Sequence, residues 1–354
     1  MPTPSLAIGP ANYAGQAHAW AGAVVRHLPA RSWSFSHQPL RPGGFQFDVD
    51  VMVGRYSYRN PLLRRLRTRR FFADASHVAV DGFKPFFHLR QGGKLAGDVA
   101  QLARAGKRVA LISHGTDTRS PEGHRDRVAD SYFREGDADW LAAVSSSSRA
   151  NREYAESSGV PVFYSTPDLG HDLPFGTWLP VCIDVDAWEW DGELLERERP
   201  RVLHLPSRRN PPIKGSRHIE PVLDELHEAG IIERVQVPSA VPHSQVRDLV
   251  RGSDVVIDQV LAGFYGVAAV EAMAAGRVVI GGLQDVQGLM PEMPELVEAT
   301  PATVREAVLR TLEDREALRA AARRNQAFVR RWHDGRESAA RLAGFLGVPG
   351  APVA

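Results

Sequence analysis

Short apolar runs rich in valine and isoleucine alternate with longer amphipathic stretches along the chain, the pattern of a parallel sheet covered by helices. The runs predict strands at Leu6–Ile8, Val49–Val53, Val78–Val80, Val109–Ile112, Leu141–Val144, Val162–Tyr164 and Val181–Ile183. A second series follows at Val202–Leu205, Val235–Val237, Val255–Ile257 and Val278–Ile280. Between the two series, Trp178 to Pro200 carries prolines at its margins, aspartates, tryptophans and an acidic–basic run from Glu193 to Pro200, and reads as a linker. The tail from Thr303 to Leu346 sets Val304, Val308 and Leu312, then Phe328 and Trp332, then Leu342 and Phe345 at helical spacing. It predicts two or three consecutive helices, the last ended by Gly347 and Pro349.

Composition narrows the picture. A chain of 354 residues is too long for one comfortable core and fits two domains of ordinary size. The expected division is an α/β domain over residues 1–179, a second over 180–330, and a terminal helix over 331–348 that returns to the first. With 43% apolar and 24% charged residues the chain is globular in type. No run approaches the roughly 20 apolar residues that cross a bilayer, and the beginning lacks the pattern of a secretory signal, so a cytoplasmic protein is expected. The one cysteine, Cys182, makes no internal disulfide and suits a reducing compartment. A net charge of +1 gives no global pull on nucleic acid.

The strongest chemical signal runs from Asp254 to Gly276. A buried strand enters a loop, Gly263-Phe264-Tyr265-Gly266, and a helix of good formers follows at once and stops at Gly276. Free N–H groups and the positive end of the helix dipole face whatever occupies such a loop, and glycine lets an anion approach the backbone. Glu271 sits early enough in that helix for its carboxylate to lean back toward a hydroxyl beside bound phosphates. A second strand, from Val202, runs into a basic loop bearing Arg208, Arg209 and Lys214, cations that can pair with a departing diphosphate. His114 and Asp117 follow the strand Val109–Ile112, at the carboxyl edge where open α/β sheets bind ligands; a loop-capping role for His114 is the alternative. At the N-terminus, Leu6–Gly9, a loop and a helix from Gly15 lack the G-x-G-x-x-G spacing of a dinucleotide fold.

These segments resemble the GT-B glycosyltransferases, above all the large retaining family that uses nucleotide-sugar donors (family 4, group 1-like). Glu271-Ala-Met-Ala-Ala-Gly276 is similar to that family's second glutamate and the helix after it, and the resemblance implies that Glu271 binds ribose hydroxyls. Gly263 stands where the family carries a first glutamate, which touches the transferred sugar; Asp258-Gln259 resembles a subset with glycine there. The resemblance further implies Lys214 as the donor-phosphate lysine with Arg208 or Arg209 as partner, Gly15 facing the phosphates, and His114 beside the reacting sugar. It implies two Rossmann-like domains across a cleft, retention of configuration with the departing phosphate helping to deprotonate the acceptor, and no cofactor beyond the nucleotide sugar. Two rivals follow from the same residues: a non-catalytic nucleotide-sugar binder, invited by Gly263, and a sugar-nucleotide epimerase of similar fold.

Other patterns are weaker. Asp48-Val-Asp50, Asp137-Ala-Asp139 and Asp184-Val-Asp186 have the spacing of a metal-binding carboxylate pair, but such triplets are common, and no essential metal is expected. Seven arginines between Arg55 and Arg70 are interleaved with leucines and phenylalanines, as in a solvated amphipathic helix. The sharper expectation is that Arg64, Arg65, Arg69 and Arg70 dock an anionic acceptor or the inner membrane face.

Overall fold

The computed structural model describes residues 3–37, 47–53, 66, 70–85, 95–206, 213–237 and 243–350. The first half contains β1 (Ser5–Gly9), α1 (Gln16–His27), β2 (Arg31–His37), β3 (Val51–Val53), β4 (His77–Asp81), α2 (Leu95–Arg104), β5 (Arg108–Ser113), α3 (Pro121–Arg127), α4 (Ala138–Ser157), β6 (Val162–Tyr164) and β7 (Thr177–Trp178). Its strands form one parallel sheet in the order β3-β2-β1-β4-β5-β6-β7. The short α5 (Val185–Trp188) leads to the second half: β8 (Arg201–His204), α6 (Ser216–Glu228), β9 (Glu233–Arg234), α7 (His243–Arg251), β10 (Val255–Ile257), α8 (Val267–Ala274), β11 (Val278–Gly281) and β12 (Val297–Glu298). These strands form a second parallel sheet, β12-β11-β10-β8-β9. Three helices close the chain, α9 (Val304–Arg310), α10 (Arg315–Trp332) and α11 (Arg336–Leu346).

Central strands buried on both faces read as unbroken apolar runs, and β1, β4, β10 and β11 are buried at every position. Edge strands do not, and the sequence expectation departs from the structure at those edges and in one helix. Leu141–Val144 is helix: Asp137 accepts the N–H of Trp140 as an N-cap, and Leu141 and Val144, three apart, pack on one core. Val181–Ile183 and Val235–Val237 are not strands; only Thr177–Trp178 and Glu233–Arg234 pair at those edges. β2 escapes an apolar-run criterion because its serines alternate with Trp33 and Phe35, which join Phe71 and Phe72 in an aromatic cluster.

The segment between the two sheets is docked rather than solvated. Asp254 accepts the N–H groups of Leu195 and Arg201, Arg315 and Arg319 donate to the Leu195 carbonyl, and Leu195 is fully buried. α10 packs Phe328 and Trp332 into the second core, whereas α11 lays Ala339, Leu342 and Phe345 against α1 in the first. The terminal helices therefore strap one half to the other.

Candidate functional site

Each sheet has one place where consecutive connections leave in opposite directions, and ligands of open α/β sheets bind outside the carboxyl ends of the strands there. In the second sheet it lies between β8 and β10. Lys214 comes from the β8 loop and Asp258 follows β10 directly. Lys214 Nζ stands 3.1 Å from Asp258 Oδ1, close enough for the charges to pair although the contact lacks hydrogen-bond geometry. Asp258 Oδ2 accepts the N–H of Gly266, the residue that caps α8, at 2.9 Å. The basic loop and the glycine-led helix start thus meet at one carboxylate. The loops are also locked by backbone: Val260 N–H donates to the Lys214 carbonyl at 3.2 Å. Gly215 lies in the left-handed region at φ 78°, and a Cβ there would come within 2.8 Å of Val260 Cγ2. Glu271 lies on the buried side of α8.

The cradle loop is held from outside the pocket. Tyr265 is buried, its hydroxyl donating to His333 Nε2 at 3.2 Å, so it offers the cradle its backbone rather than its ring. Gln259 Nε2 donates to the Phe264 carbonyl at 2.5 Å. Gly263 has φ 72°, and a Cβ on it would lie 3.0 Å from both Asp285 Cβ and Val128 Cγ2, the latter from the first half. The space at position 263 is filled by packing between the halves.

In the first sheet the reversal lies between β1 and β4. Asp81, at the end of β4 and fully buried, accepts the N–H groups of Ala11 and Asn12 at 2.6 and 2.8 Å. Its Oδ2 is 3.3 Å from His114 Nε2, and the His114 ring stacks on Trp20 and meets the edge of Tyr13. Asn12, Ala14 and Phe83 all have positive φ, non-glycine residues in the left-handed region gathered at these strand ends. Such strain concentrates at functional sites. Gly15, also left-handed, caps α1. Asp117 staples the loop after β5: its carboxylate accepts the N–H groups of His114 and Gly115 and the Ser113 hydroxyl. That leaves His114 as the side chain of the pair facing the strand ends.

Sequence reading passed over the groups that join the two sites. Arg119, on the loop bearing His114, is fully enclosed: Nε donates to Asp168 at 2.7 Å, Nη1 to the Tyr132 hydroxyl at 3.0 Å, and its guanidinium lies 4.3 Å from the centre of the Phe264 ring. Burial works against its charge, but the Asp168 carboxylate and Tyr132 hold its pKa above the ordinary arginine value. Beside it, Tyr132 N–H donates to Leu261 O, His124 Nε2–H to Ala262 O, and Arg127 Nε to Asp285 Oδ1 at 2.6 Å. The loop carrying His114 and the loop carrying Gly263 to Gly266 are therefore packed against one another. Nothing in the sequence marks Arg119 apart from other arginines, since its signal is burial.

Arg208, Arg209, Arg64, Arg65 and Arg69 lie outside the described residues, and Arg70 is exposed. The paired aspartates have separate duties: Asp50 accepts from Ser34, Asp137 and Asp184 cap helices, and Asp186 pairs with Arg330. Among the described residues no helix is long and apolar enough to cross a membrane.

The whole chain is similar in structure to a sucrose-phosphate synthase from Thermosynechococcus elongatus, at 14% identity over 97% of this chain and 98% of that one, TM-score 0.60. It is similar to HepE of Anabaena, solved in complex with UDP-glucose, at 13% identity over 98% and 100%, TM-score 0.61. A UDP-N-acetylglucosamine 2-epimerase matches at 10% identity over 99% and 100%, TM-score 0.54. No protein-family model matches the chain, and neither does any curated protein. Two parallel-sheet α/β domains with this topology constitute the GT-B fold.

Proposed function

We propose that the protein is a glycosyltransferase that takes a sugar from a nucleoside diphosphate donor. The observation that carries this reading is the meeting of Lys214 and the start of α8 at the β8/β10 reversal, against the loop that bears His114. The donor's diphosphate lies beside Lys214 and the first turn of α8, with Arg208 or Arg209 as a second cation and Glu271 toward the ribose. The acceptor enters from the first domain near His114. The bond from the anomeric carbon to the diphosphate breaks, the bond to the acceptor oxygen forms, and the acceptor proton passes to the departing phosphate. Configuration is retained, and charge on the leaving group is neutralised by side chains and helix dipole without a metal.

Ligand binding to the native state raises its melting temperature with the logarithm of ligand over dissociation constant. A thermal-shift panel of UDP-, ADP- and GDP-sugars is expected to give one clear stabiliser, and Lys214→Ala or Glu271→Ala should abolish that shift. A panel without any stabiliser removes the donor reading. The likeness to an epimerase fold supports one alternative, change of the donor sugar with no acceptor present. NMR of the bound sugar nucleotide incubated alone separates the two, since an epimerase accumulates a second sugar and a transferase does not.

A further inference from the structure

The donor cradle already contains an anion. Asp258 has one oxygen on the N–H that opens α8 and the other 3.1 Å from the Lys214 ammonium, and its side chain is only 2% exposed. A helix start and a lysine are the two groups a phosphate would engage here, and a carboxylate satisfies both. The second oxygen accepts no hydrogen bond, so it is a buried acceptor aimed at the ammonium and held by charge alone.

We infer that Asp258 is a resident competitor for the donor phosphates: it fills the cradle in the free protein and must give up Lys214 when a diphosphate arrives. This rests on the proposed donor site. A diphosphate brings more charge and more acceptor oxygens than one carboxylate, so it prevails for the ammonium, whereas weakly charged anions do not. A like charge retained in a pocket is a means of rejecting wrong ligands, at a cost in affinity for the right one.

The test is calorimetric titration of the full chain with inorganic pyrophosphate, uridine diphosphate and adenosine diphosphate, comparing the unchanged protein with Asp258→Asn. Asparagine keeps a carbonyl oxygen for the Gly266 N–H and removes the charge. Asp258→Ser, which also removes the charge and leaves a smaller polar side chain, serves should the amide variant not fold. Binding of pyrophosphate and of the preferred nucleotide should tighten about tenfold or more in either variant, roughly the effect of relieving a like-charge contact. Adding Lys214→Ala should erase the gain. Equal or weaker binding in a folded variant overturns the inference while leaving the donor reading intact wherever the unchanged protein binds nucleotide. Pyrophosphate binding with no nucleotide bound by any form, the variants included, removes the donor reading and with it the inference that Asp258 competes for donor phosphates. No binding by any form overturns both.

Discussion

Gly263 shows how far one residue can be read from a motif. By resemblance it stands in for a glutamate, which invites the idea that restoring the acid restores a sugar contact. The backbone at φ 72° is strained for any other residue, and the 3.0 Å approaches to Asp285 and Val128 mean that both neighbours must give way to admit a side chain. Gly263→Glu is expected to destabilise the fold by about 2 kcal/mol or more, from left-handed backbone strain plus overpacking, and not to improve donor binding. A urea midpoint and one donor titration check both. Arg119 argues from the opposite side, a charge whose value lies in being enclosed. Arg119→Met leaves Asp168 buried without its partner and should cost about 3–5 kcal/mol. Arg119→Met combined with Asp168→Leu should recover part of that loss, since an apolar pair can replace a buried ion pair more cheaply than one half of it can be removed. Unfolding of the single and double variants in urea gives the comparison, and a double variant no better than the single would contradict it.

At the scale of elements, α11 is the clearest dependency. Leu342 is fully buried between α1 and the first sheet although it follows the second domain in the chain. Leu342→Ala is expected to cost about 2–5 kcal/mol, and hydrogen exchange should show α1 losing protection before β10 and β11 do. Legibility in the sequence follows the same physics. β1, β4, β5, β8, β10 and β11 were readable because burial on both faces leaves no polar interruption. β2 and β12 were not, the first because serine at three of its seven positions breaks the apolar run, the second because two residues carry no period. α4 was misread at Leu141–Val144 because four small apolar residues fit either element, and the deciding N-cap, Asp137, lies four positions upstream. Lys214 and the Gly266 helix start were legible as a strand end and a glycine turn. Asp258 and Arg119 were not, since what sets them apart is the company they keep in three dimensions.

At the scale of the whole molecule, three enclosed histidines tie separate parts together and set how the protein meets acid. His124 Nε2–H donates across the domains to Ala262 O, His204 Nδ1–H to Ile257 O between β8 and β10, and His333 Nδ1–H to Val181 O in the strap between halves. The other ring nitrogen of each faces a hydroxyl, from Ser131, Ser216 and Tyr265 respectively, and accepts from it when neutral. Burial is the chief reason that each pKa falls to about 4 from 6.5. The folded state therefore holds these rings neutral while the unfolded chain takes up protons below pH 6.5. Their contribution is fully present above that value and is lost as pH falls toward 4, by up to about 1 kcal/mol per pH unit for each ring. Asp172 and Asp285, whose pKa burial raises, work in the opposite sense, but they are two against three and titrate from a lower starting value. Unfolding free energy from urea titration should thus be flat from pH 8 to 7 and decline steeply from 6 to 4.5. His204→Asn, which can present an amide to the Ile257 carbonyl without titrating, should make that decline shallower even though it lowers stability at pH 7, and an unchanged slope would show that other groups govern acid sensitivity.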